Sequence, residues 1–566
     1  MTRTSSSPTR RRAVALGAIG AMVLGATGTQ VALATDHALP NGPQPTLGYD
    51  PAETNSMWAI SRIVGADDLW DAGFVGQGVD VAVIDTGITR VTGLDAPGKV
   101  VDAADVSFDT AFEEARYLDA FGHGTHMAGI IAGSDVPAGA SGEGCQTCSG
   151  DSPYTDFTKF VGIAPEARLV NVKVGAADGS VDVSQVIAGV NWVVEHHADP
   201  GMNIRVLNLS FGTDSLQPAE VDPLAYAVDQ AWKAGIVVVA AAGNDGSSTT
   251  ALSNPASTPS VIAVGASNPN GTIDTEDDSI PAFAQKGNKK RTADVVAPGV
   301  SVLSLRVPGS FVDEEVDAGK VGERFQRGSG SSQAAAIVSG LSALLVSKYP
   351  DATPDQIKRF LVAESHEIHF VDEPPAPSKK ELEEAAKDAA AAEAKAAKEA
   401  KKLADKLDKL ASKDPAEAEA YRAKVLARAE AQAAKEAAKE AKEHDELTKA
   451  VFYPHAGSVD VAAAAGGKSL PKAKPDDWTA RGTGSLSAAR GHAAVVAPDG
   501  TVLEGEVDAF GCQWDTSNPD RPVTSCDGDW SGARWSGTEW SGARWSGARW
   551  SGARWSGAQW ADGNWD

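Results

Sequence analysis

Net positive charge and long apolar runs are what this sequence lacks. Lys and Arg number 51 against 76 Asp and Glu, so the chain of 566 residues carries a formal charge of −25. So acidic a protein should stay soluble and repel nucleic acid. Beyond residue 34 no apolar stretch is long enough to span a bilayer. We therefore expect a mature chain with no transmembrane segment, released from the cell or attached peripherally at its surface.

Cysteine is also scarce, with only 4 in the chain. The cysteines fall into two local pairs, Cys145 with Cys148 and Cys512 with Cys526. In an exported chain this spacing favours two short-loop disulfides. A Cys-x-x-Cys sequence is alternatively a redox motif or half of a zinc site, but neither a second such motif nor a nearby histidine accompanies it.

The N-terminus has the pattern of an export signal. Three arginines at 10–12 precede an uncharged stretch at 13–28 and a small-x-small cleavage pattern at 32–34. We predict a secretory signal peptide over 1–34, followed by a linker over 35–57. A membrane anchor is the alternative, although the stretch is short for a span and rich in Gly and Ala. Both the general and the twin-arginine export routes stay open.

From Trp58 onward, apolar strands alternate with helical stretches, a pattern typical of an α/β fold with a parallel sheet covered by helices on both faces. We predict strands at 79–84, 168–174, 204–210, 236–241 and 261–264. We predict helices at 183–196, 223–233 and 354–365.

Three separated residue types suggest acyl-transfer chemistry. Asp85 directly follows the predicted strand 79–84, at the sheet edge where open α/β folds keep their sites. His123 opens a second segment of small and apolar residues. Ser331 and Ser332 stand where a Gly/Ser turn enters an Ala-rich helix, whose unpaired N–H groups favour developing negative charge. A serine in that position is usually only a helix cap, so the order acid, base, nucleophile carries the argument.

That order and its flanking residues resemble the subtilisin-like serine peptidases, the subtilase family. The resemblance makes Asp85 the orienting acid, His123 the general base, Ser332 the nucleophile and Asn244 the oxyanion donor. The family's usual Gly-Thr-Ser-Met-Ala-x-Pro reads Gly-Ser-Ser-Gln-Ala-Ala-Ala at 330–336, so Thr, Met and Pro are replaced. We prefer Ser332 over Ser331 because later small residues of the helix then also follow the family's pattern.

The resemblance also implies a catalytic domain over 58–372 that ends at 451–466. It implies that an extended substrate pairs with the backbone of Ser210, Phe211 and Gly212, at the end of one predicted strand. It also implies that Ala241, Ala242 and Gly243, at the end of the next predicted strand, line the pocket for the residue before the scissile bond. No cofactor is required for catalysis, and no metal site is assigned, although calcium is a common structural ion in the family.

Residues 373–450 interrupt the family pattern with Ala, Glu, Lys and scattered Leu, a composition of long solvated helices. Capping boxes starting at Ser378 and Asp414 mark two helix beginnings, so we predict an inserted helical hairpin with coiled-coil character. It either docks a partner or acts as a spacer.

The C-terminal part combines a predicted linker over 467–528, containing a β-hairpin and the Cys512–Cys526 loop, with a five-residue Trp-Ser-Gly-Ala-Arg repeat over 529–566. The repeat either contacts the cell envelope or a partner through stacking and cation–π interactions, or is a low-complexity tail.

Two functions are consistent with the sequence. The first is a secreted serine endopeptidase that hydrolyses protein or peptide substrates through an acyl-enzyme. The second is a catalytically inactive secreted binding or scaffold protein on the same fold.

Overall fold

The computed structural model of the chain describes residues 47–140, 152–246, 251–285, 287–288, 290–368, 456–473, 478–492, 495–497 and 502–515. The predicted signal peptide, Cys145, Cys148, Cys526, the predicted helical hairpin and the Trp repeat lie outside these ranges. The chain divides into two units, Met1–Ala38 with Phe370–Phe452, and Leu39–His369 with Tyr453–Asp566. The fold described below belongs to the second unit.

Parallel strands dominate the main sheet. The strands in the described ranges are β1 (Asp80–Asp85), β2 (Val100–Asp105), β3 (Arg168–Lys173), β4 (Ile204–Leu209), β5 (Val237–Ala241), β6 (Ile262–Ser267), β7 (Gly287–Asn288), β8 (Arg291–Thr292), β9 (Val295–Pro298), β10 (Val302–Leu305), β11 (Lys320–Val321), β12 (Phe325–Gly328), β13 (His366–Glu367), β14 (Gly457–Ser458), β15 (Val495–Val496) and β16 (Val502–Leu503). The main sheet has the order β13-β14-β9-β6-β5-β4-β1-β3-β2. Its neighbouring strands are parallel except β13 and β14, which are antiparallel.

The α-helices in the described ranges are α1 (Met57–Ile63), α2 (Ala66–Asp71), α3 (His123–Ala132), α4 (Val183–His196), α5 (Pro223–Lys233), α6 (Phe311–Glu315), α7 (Ser331–Lys348), α8 (Pro354–Ala363), α9 (Ala462–Ala465) and α10 (Leu486–Arg490). Short 3₁₀ turns occur at Phe108–Ala111, Glu113–Ala115, Pro153–Thr155, Thr275–Asp277 and Asp317–Gly319.

Helix α7 lies in the core. All its residues from Ser331 to Val346 are buried, and it packs against β4, β5, β6, β9 and α3. Small residues make this possible: a side chain at Gly340 would meet the Ile163 Cβ at 2.5 Å. The central position of α7 brings its first turn to the carboxyl edge of the sheet, where β1, β4 and β5 end.

The predicted α/β fold with a mainly parallel central sheet is confirmed. The five predicted strands correspond to β1, β3, β4, β5 and β6, and helices α4 and α5 have the predicted bounds. Strands β2 and β9 were not predicted. Strand β2 contains two aspartates and has three half-buried positions, and β9 is only 4 residues long and ends in proline.

The described residues of the predicted C-terminal linker pack on the domain. Helix α10 contacts α4 and α5, and Leu486 and Ala489 are fully buried in the main core. Strands β15 and β16 pair antiparallel within the predicted hairpin, and their Val495 and Leu503 join a small cluster with Phe108. This segment therefore contributes to the core beside α4.

Candidate active site

Asp85 is the last residue of β1 and is 1% exposed. Its Oδ1 accepts a hydrogen bond from the Thr86 backbone N–H at 2.8 Å and lies 3.2 Å from the Thr86 hydroxyl. The same oxygen is 2.7 Å from Nδ1 of His123. A buried carboxylate with these donors is held in one orientation, directed at the imidazole.

His123 is the first residue of α3 and is fully buried. It follows Gly122, whose φ of 106° suits glycine in the turn into the helix. Gly124 permits the close approach of α3 to β1, because a side chain there would collide with the Gly87 carbonyl and lie 3.1 Å from Oδ1 of Asp85. The Asp85–His123 pair therefore depends on glycines on both sides of the histidine.

Ser332 lies in the first turn of α7, which two strand ends hold in place. The Ser332 hydroxyl donates to the Ser210 carbonyl at 3.3 Å, and the Ser210 hydroxyl donates to the Ser332 carbonyl at 3.2 Å. The neighbouring Ser331 hydroxyl instead accepts the Gly243 N–H at 3.1 Å. The two candidate serines thus contact the ends of different strands, Ser332 that of β4 and Ser331 that of β5.

Asn244 follows the Gly243 turn at the end of β5 and is 6% exposed. Its Oδ1 accepts the Ser331 N–H at 2.8 Å, which fixes the amide next to the first turn of α7. Its buried Nδ2 has no hydrogen-bond partner among the described residues. A buried donor held in this way is what stabilisation of an oxyanion requires.

The residues predicted to bind substrate lie at the carboxyl ends of β4 and β5 and are buried. They are Ser210, Phe211, Gly212, Ala241, Ala242 and Gly243. The Ala242 carbonyl accepts the Ser253 N–H at 3.0 Å, and the Gly243 carbonyl accepts the Gln285 N–H at 3.3 Å. These bonds fix the backbone that follows β5. The contact of the six residues with a substrate stays a prediction.

Sequence reasoning gave no role to two polar side chains near the nucleophile, His126 and Gln333. Both are fully buried, and neither has a hydrogen-bond partner for its side-chain polar atoms among the described residues. Both lie against Gly328, where an added Cβ would be 2.9 Å from Nε2 of His126 and 3.3 Å from Cδ of Gln333. Burial, aided by the nearby His123, lowers the pKa of His126 to about 3, so this ring is neutral at physiological pH.

The described residues contain no group of three or more His, Cys, Asp or Glu placed to hold a metal ion. Cys512 is disulfide-bonded, while the other three cysteines fall outside the described ranges, so the predicted pairing stays a prediction. Within the same ranges no helix is both long and apolar enough to cross a membrane.

Comparison with known proteins identifies relatives of this chain. The model of the subtilase family, Peptidase_S8, matches residues 76–401, more than half of the chain. The chain belongs to the subtilase family. Serine protease AprX of Bacillus subtilis is 37% identical over 292 residues, which are 50% of this chain and 61% of AprX. Subtilisin DY of Bacillus licheniformis is 32% identical over 302 residues, 53% of this chain and 88% of that protein.

Among solved structures, a cold adapted subtilisin-like serine proteinase matches with 26% identity and a TM-score of 0.38, covering 55% of this chain and 92% of that chain. The aligned region spans less than two thirds of the length of AprX. The family model therefore identifies the matched part of this chain as a subtilase domain.

Proposed function

We propose that this subtilase is a secreted serine endopeptidase in which Asp85, His123 and Ser332 form the catalytic triad. The observation that carries the proposal is the buried 2.7 Å contact between Oδ1 of Asp85 and Nδ1 of His123. A carboxylate on Nδ1 fixes the tautomer in which Nε2 can accept a proton, and it stabilises the imidazolium that follows.

In the proposed reaction Nε2 of His123 takes the proton of the Ser332 hydroxyl as the serine oxygen attacks a peptide carbonyl. The carbonyl oxygen becomes an oxyanion, which accepts hydrogen bonds from Nδ2 of Asn244 and from the first-turn N–H of Ser332. The imidazolium then gives its proton to the leaving amine, and the acyl-enzyme forms. Water hydrolyses this ester by the same steps, with His123 again as base.

The substrate would extend along Ser210, Phe211 and Gly212, and the residue before the scissile bond would enter the pocket beside Ala241, Ala242 and Gly243. Family resemblance makes calcium an expected structural ion, but no step of this mechanism depends on it. Secretion is supported by the signal-peptide pattern over 1–34.

We also propose that 373–450 is an insertion within the catalytic domain. Support comes from β14, which follows this segment in the chain and pairs in parallel with β9 of the main sheet. The roles of the inserted segment and of the Trp repeat stay predictions.

Labelling with a fluorophosphonate tests the triad. We expect the folded wild type to be labelled, Ser332→Ala to lose all labelling, and Ser331→Ala to keep it at a reduced rate, since Ser331 supports Gly243. Labelling that survives in Ser332→Ala and disappears in Ser331→Ala would move the nucleophile by one residue. A folded wild type that takes no label would favour the inactive binding protein instead.

A further inference from the structure

A second buried carboxylate, Asp119, lies next to the catalytic pair. It belongs to the loop between β2 and α3 and is 1% exposed. Its Oδ1 accepts hydrogen bonds from the Thr86 hydroxyl and from the Gly122 N–H, both at 2.7 Å. Its Oδ2 accepts the Thr125 N–H, also at 2.7 Å. One side chain thus binds the residue after Asp85, the residue before His123 and the first turn of α3.

The first turn of α3 needs such partners because its N-cap residue, Gly122, has no side chain to supply. The N–H of Gly124 is accepted at 2.9 Å by the Thr86 hydroxyl, and the N–H of Thr125 by Asp119. The helix that begins with His123 is therefore capped by side chains from outside it. Any displacement of Asp119 or Thr86 would displace the start of the helix and the ring with it.

Thr86 connects the two carboxylates. Its hydroxyl has one proton and lies 2.7 Å from Oδ1 of Asp119 but 3.2 Å from Oδ1 of Asp85. The shorter distance favours donation to Asp119. Oδ1 of Asp85 then keeps the Thr86 N–H and the His123 ring as its near donors, which is the arrangement that the triad requires.

We propose that Asp119, acting through Thr86 and the first turn of α3, is a positioning residue that fixes both members of the Asp85–His123 pair. This inference rests on the proposed function. Asp119 touches no reacting atom; it holds the acid and the base in register. Because both of its oxygens accept O–H or N–H donors, the side chain is held as a carboxylate and adds negative charge near the imidazolium.

Other charged groups face the same region. Lys173 is fully buried, donates to the carbonyls of Thr86 and Leu118 at 2.8 and 2.7 Å, and pairs with Asp109 at 3.0 Å. At the end of β2, Asp105 accepts the Tyr117 N–H at 3.0 Å. On α3 itself, His126 is neutral at physiological pH. Burial raises the pKa of Asp119, against the hydrogen bonds from Thr125, Gly122 and Thr86, which lower it.

The experiment compares Asp119→Asn, Thr86→Val and Thr86→Ser with Asp80→Asn. Asp80 is a matched control because it is a buried carboxylate at the opposite end of β1, where it pairs with Arg168. Peptide hydrolysis is followed as kcat and KM from pH 5 to 10. In a Ser332→Ala background, proton NMR titration measures the pKa of the His123 ring without any need for activity.

We expect Asp119→Asn and Thr86→Val to lower kcat about tenfold with KM nearly unchanged, well short of the roughly 10⁴-fold effect of an orienting carboxylate itself. Asp119→Asn should also move the acid limb of kcat/KM and the His123 pKa downward, because a negative charge that favours imidazolium is lost. Thr86→Ser keeps the hydroxyl, so its kcat should be close to that of the wild type.

If Asp119→Asn kept the kcat, the pH profile and the His123 pKa of the wild type, the positioning role would be overturned. An equal loss of kcat in Asp80→Asn would overturn it as well. An inactive wild type whose His123 pKa still falls in Asp119→Asn would refute the proposed function but leave the positioning role intact. If Asp119→Asn lowered kcat but left the His123 pKa unchanged, Asp119 would be only a helix cap without influence on the base. That result would contradict the proposal.

Discussion

The two polar atoms of the Asn244 side chain have separate tasks in the proposed site. Oδ1 holds the Ser331 N–H at 2.8 Å, and Nδ2 is the buried donor without a partner among the described residues. Asn244→Asp keeps the accepting oxygen and nearly the same shape but removes the donor. We expect kcat to fall about a hundred- to thousandfold with little change in KM, because the lost hydrogen bond forms only as the oxyanion develops.

The matched control for that variant is Asn208→Asp. Asn208 is a fully buried residue of β4 whose side chain hydrogen-bonds with the hydroxyls of Ser210 and Ser339. Steady-state kinetics on a peptide substrate, with folding checked by circular dichroism, gives the answer. If Asn244→Asp raised KM while kcat stayed constant, the side chain would bind ground-state substrate and the assignment of oxyanion donor would fail.

Resemblance of short glycine-containing motifs to those of the subtilases singled out Asp85, His123, Ser332 and Asn244 in the sequence, and their catalytic roles stay predictions. Asp119 was missed for a physical reason. Nothing in its neighbours Leu118 and Ala120 marks it, and its hydrogen-bond partners come from two separate elements that only the folded chain brings together. His126 and Gln333 likewise gain their significance from burial, which spacing does not reveal.

Among the elements, α10 is joined to α4 by a buried ion pair. Arg490 is 3% exposed, donates through Nε to Asp182 at 2.6 Å, and also donates to the carbonyl of Gly505 at 2.8 Å. Asp182 in turn caps α4 together with Gln185. Because both charges are out of water, loss of one partner leaves the other buried and unpaired.

We predict that Arg490→Met lowers the free energy of unfolding by about 3–5 kcal/mol. Urea unfolding in the Ser332→Ala background measures this without interference from proteolysis. Arg90→Met is the control, since Arg90 and Asp102 form a partly exposed pair, worth less than about 1 kcal/mol. A loss below 1 kcal/mol for Arg490→Met would mean that α10 is not anchored by this pair.

The elements differ in how far the sequence predicts them. Helix α4 was predicted with its observed bounds because its apolar period is regular over 14 residues. The role of α10 was not, since a helix of 5 residues has too little periodicity to be recognised and its stability comes from burial of Leu486 and Ala489. Strand β14 consists of two residues whose partner, β9, lies far earlier in the chain, so that no local pattern indicates the pairing.

At the scale of the whole molecule, buried titratable groups give stability a dependence on pH. Asp278 is 3% exposed beneath β14, and its Oδ1 has no hydrogen-bond partner among the described residues. Burial, with some repulsion from Asp277, raises its pKa from 3.8 to about 7. Between these two values the folded state keeps the proton and the unfolded state loses it, so stability falls as pH rises through this window.

We therefore predict that Asp278→Asn changes the free energy of unfolding more favourably at pH 8 than at pH 5, by up to a few kcal/mol. The comparison of variant with wild type at each pH cancels the opposite contribution of His126, whose lowered pKa costs stability as pH falls from 6.5 towards 3. Thermal or urea unfolding in the Ser332→Ala background measures both. The control is Asp317→Asn, which removes a carboxylate that is 90% exposed.

An equal change for Asp278→Asn at the two pH values would show that this carboxyl titrates normally. A similar difference between pH 5 and pH 8 in Asp317→Asn would point instead to the net charge of this acidic chain, because removal of any one carboxylate would then have the same effect.

The antiparallel strands β13 and β14 join two distant parts of the chain at the edge of the main sheet. Glu367 of β13 faces Gly457 of β14 in register, although the two residues lie far apart in the chain. Nε2 of His366 also lies 2.8 Å from Oδ2 of Asp460, which links the same two segments. Because the free energy of closing a loop rises by only about 0.6 kcal/mol for each doubling of its length, the pairing of β13 with β14 should depend little on the length of the segment that connects them. A change in the length of that segment should therefore leave the main sheet in place.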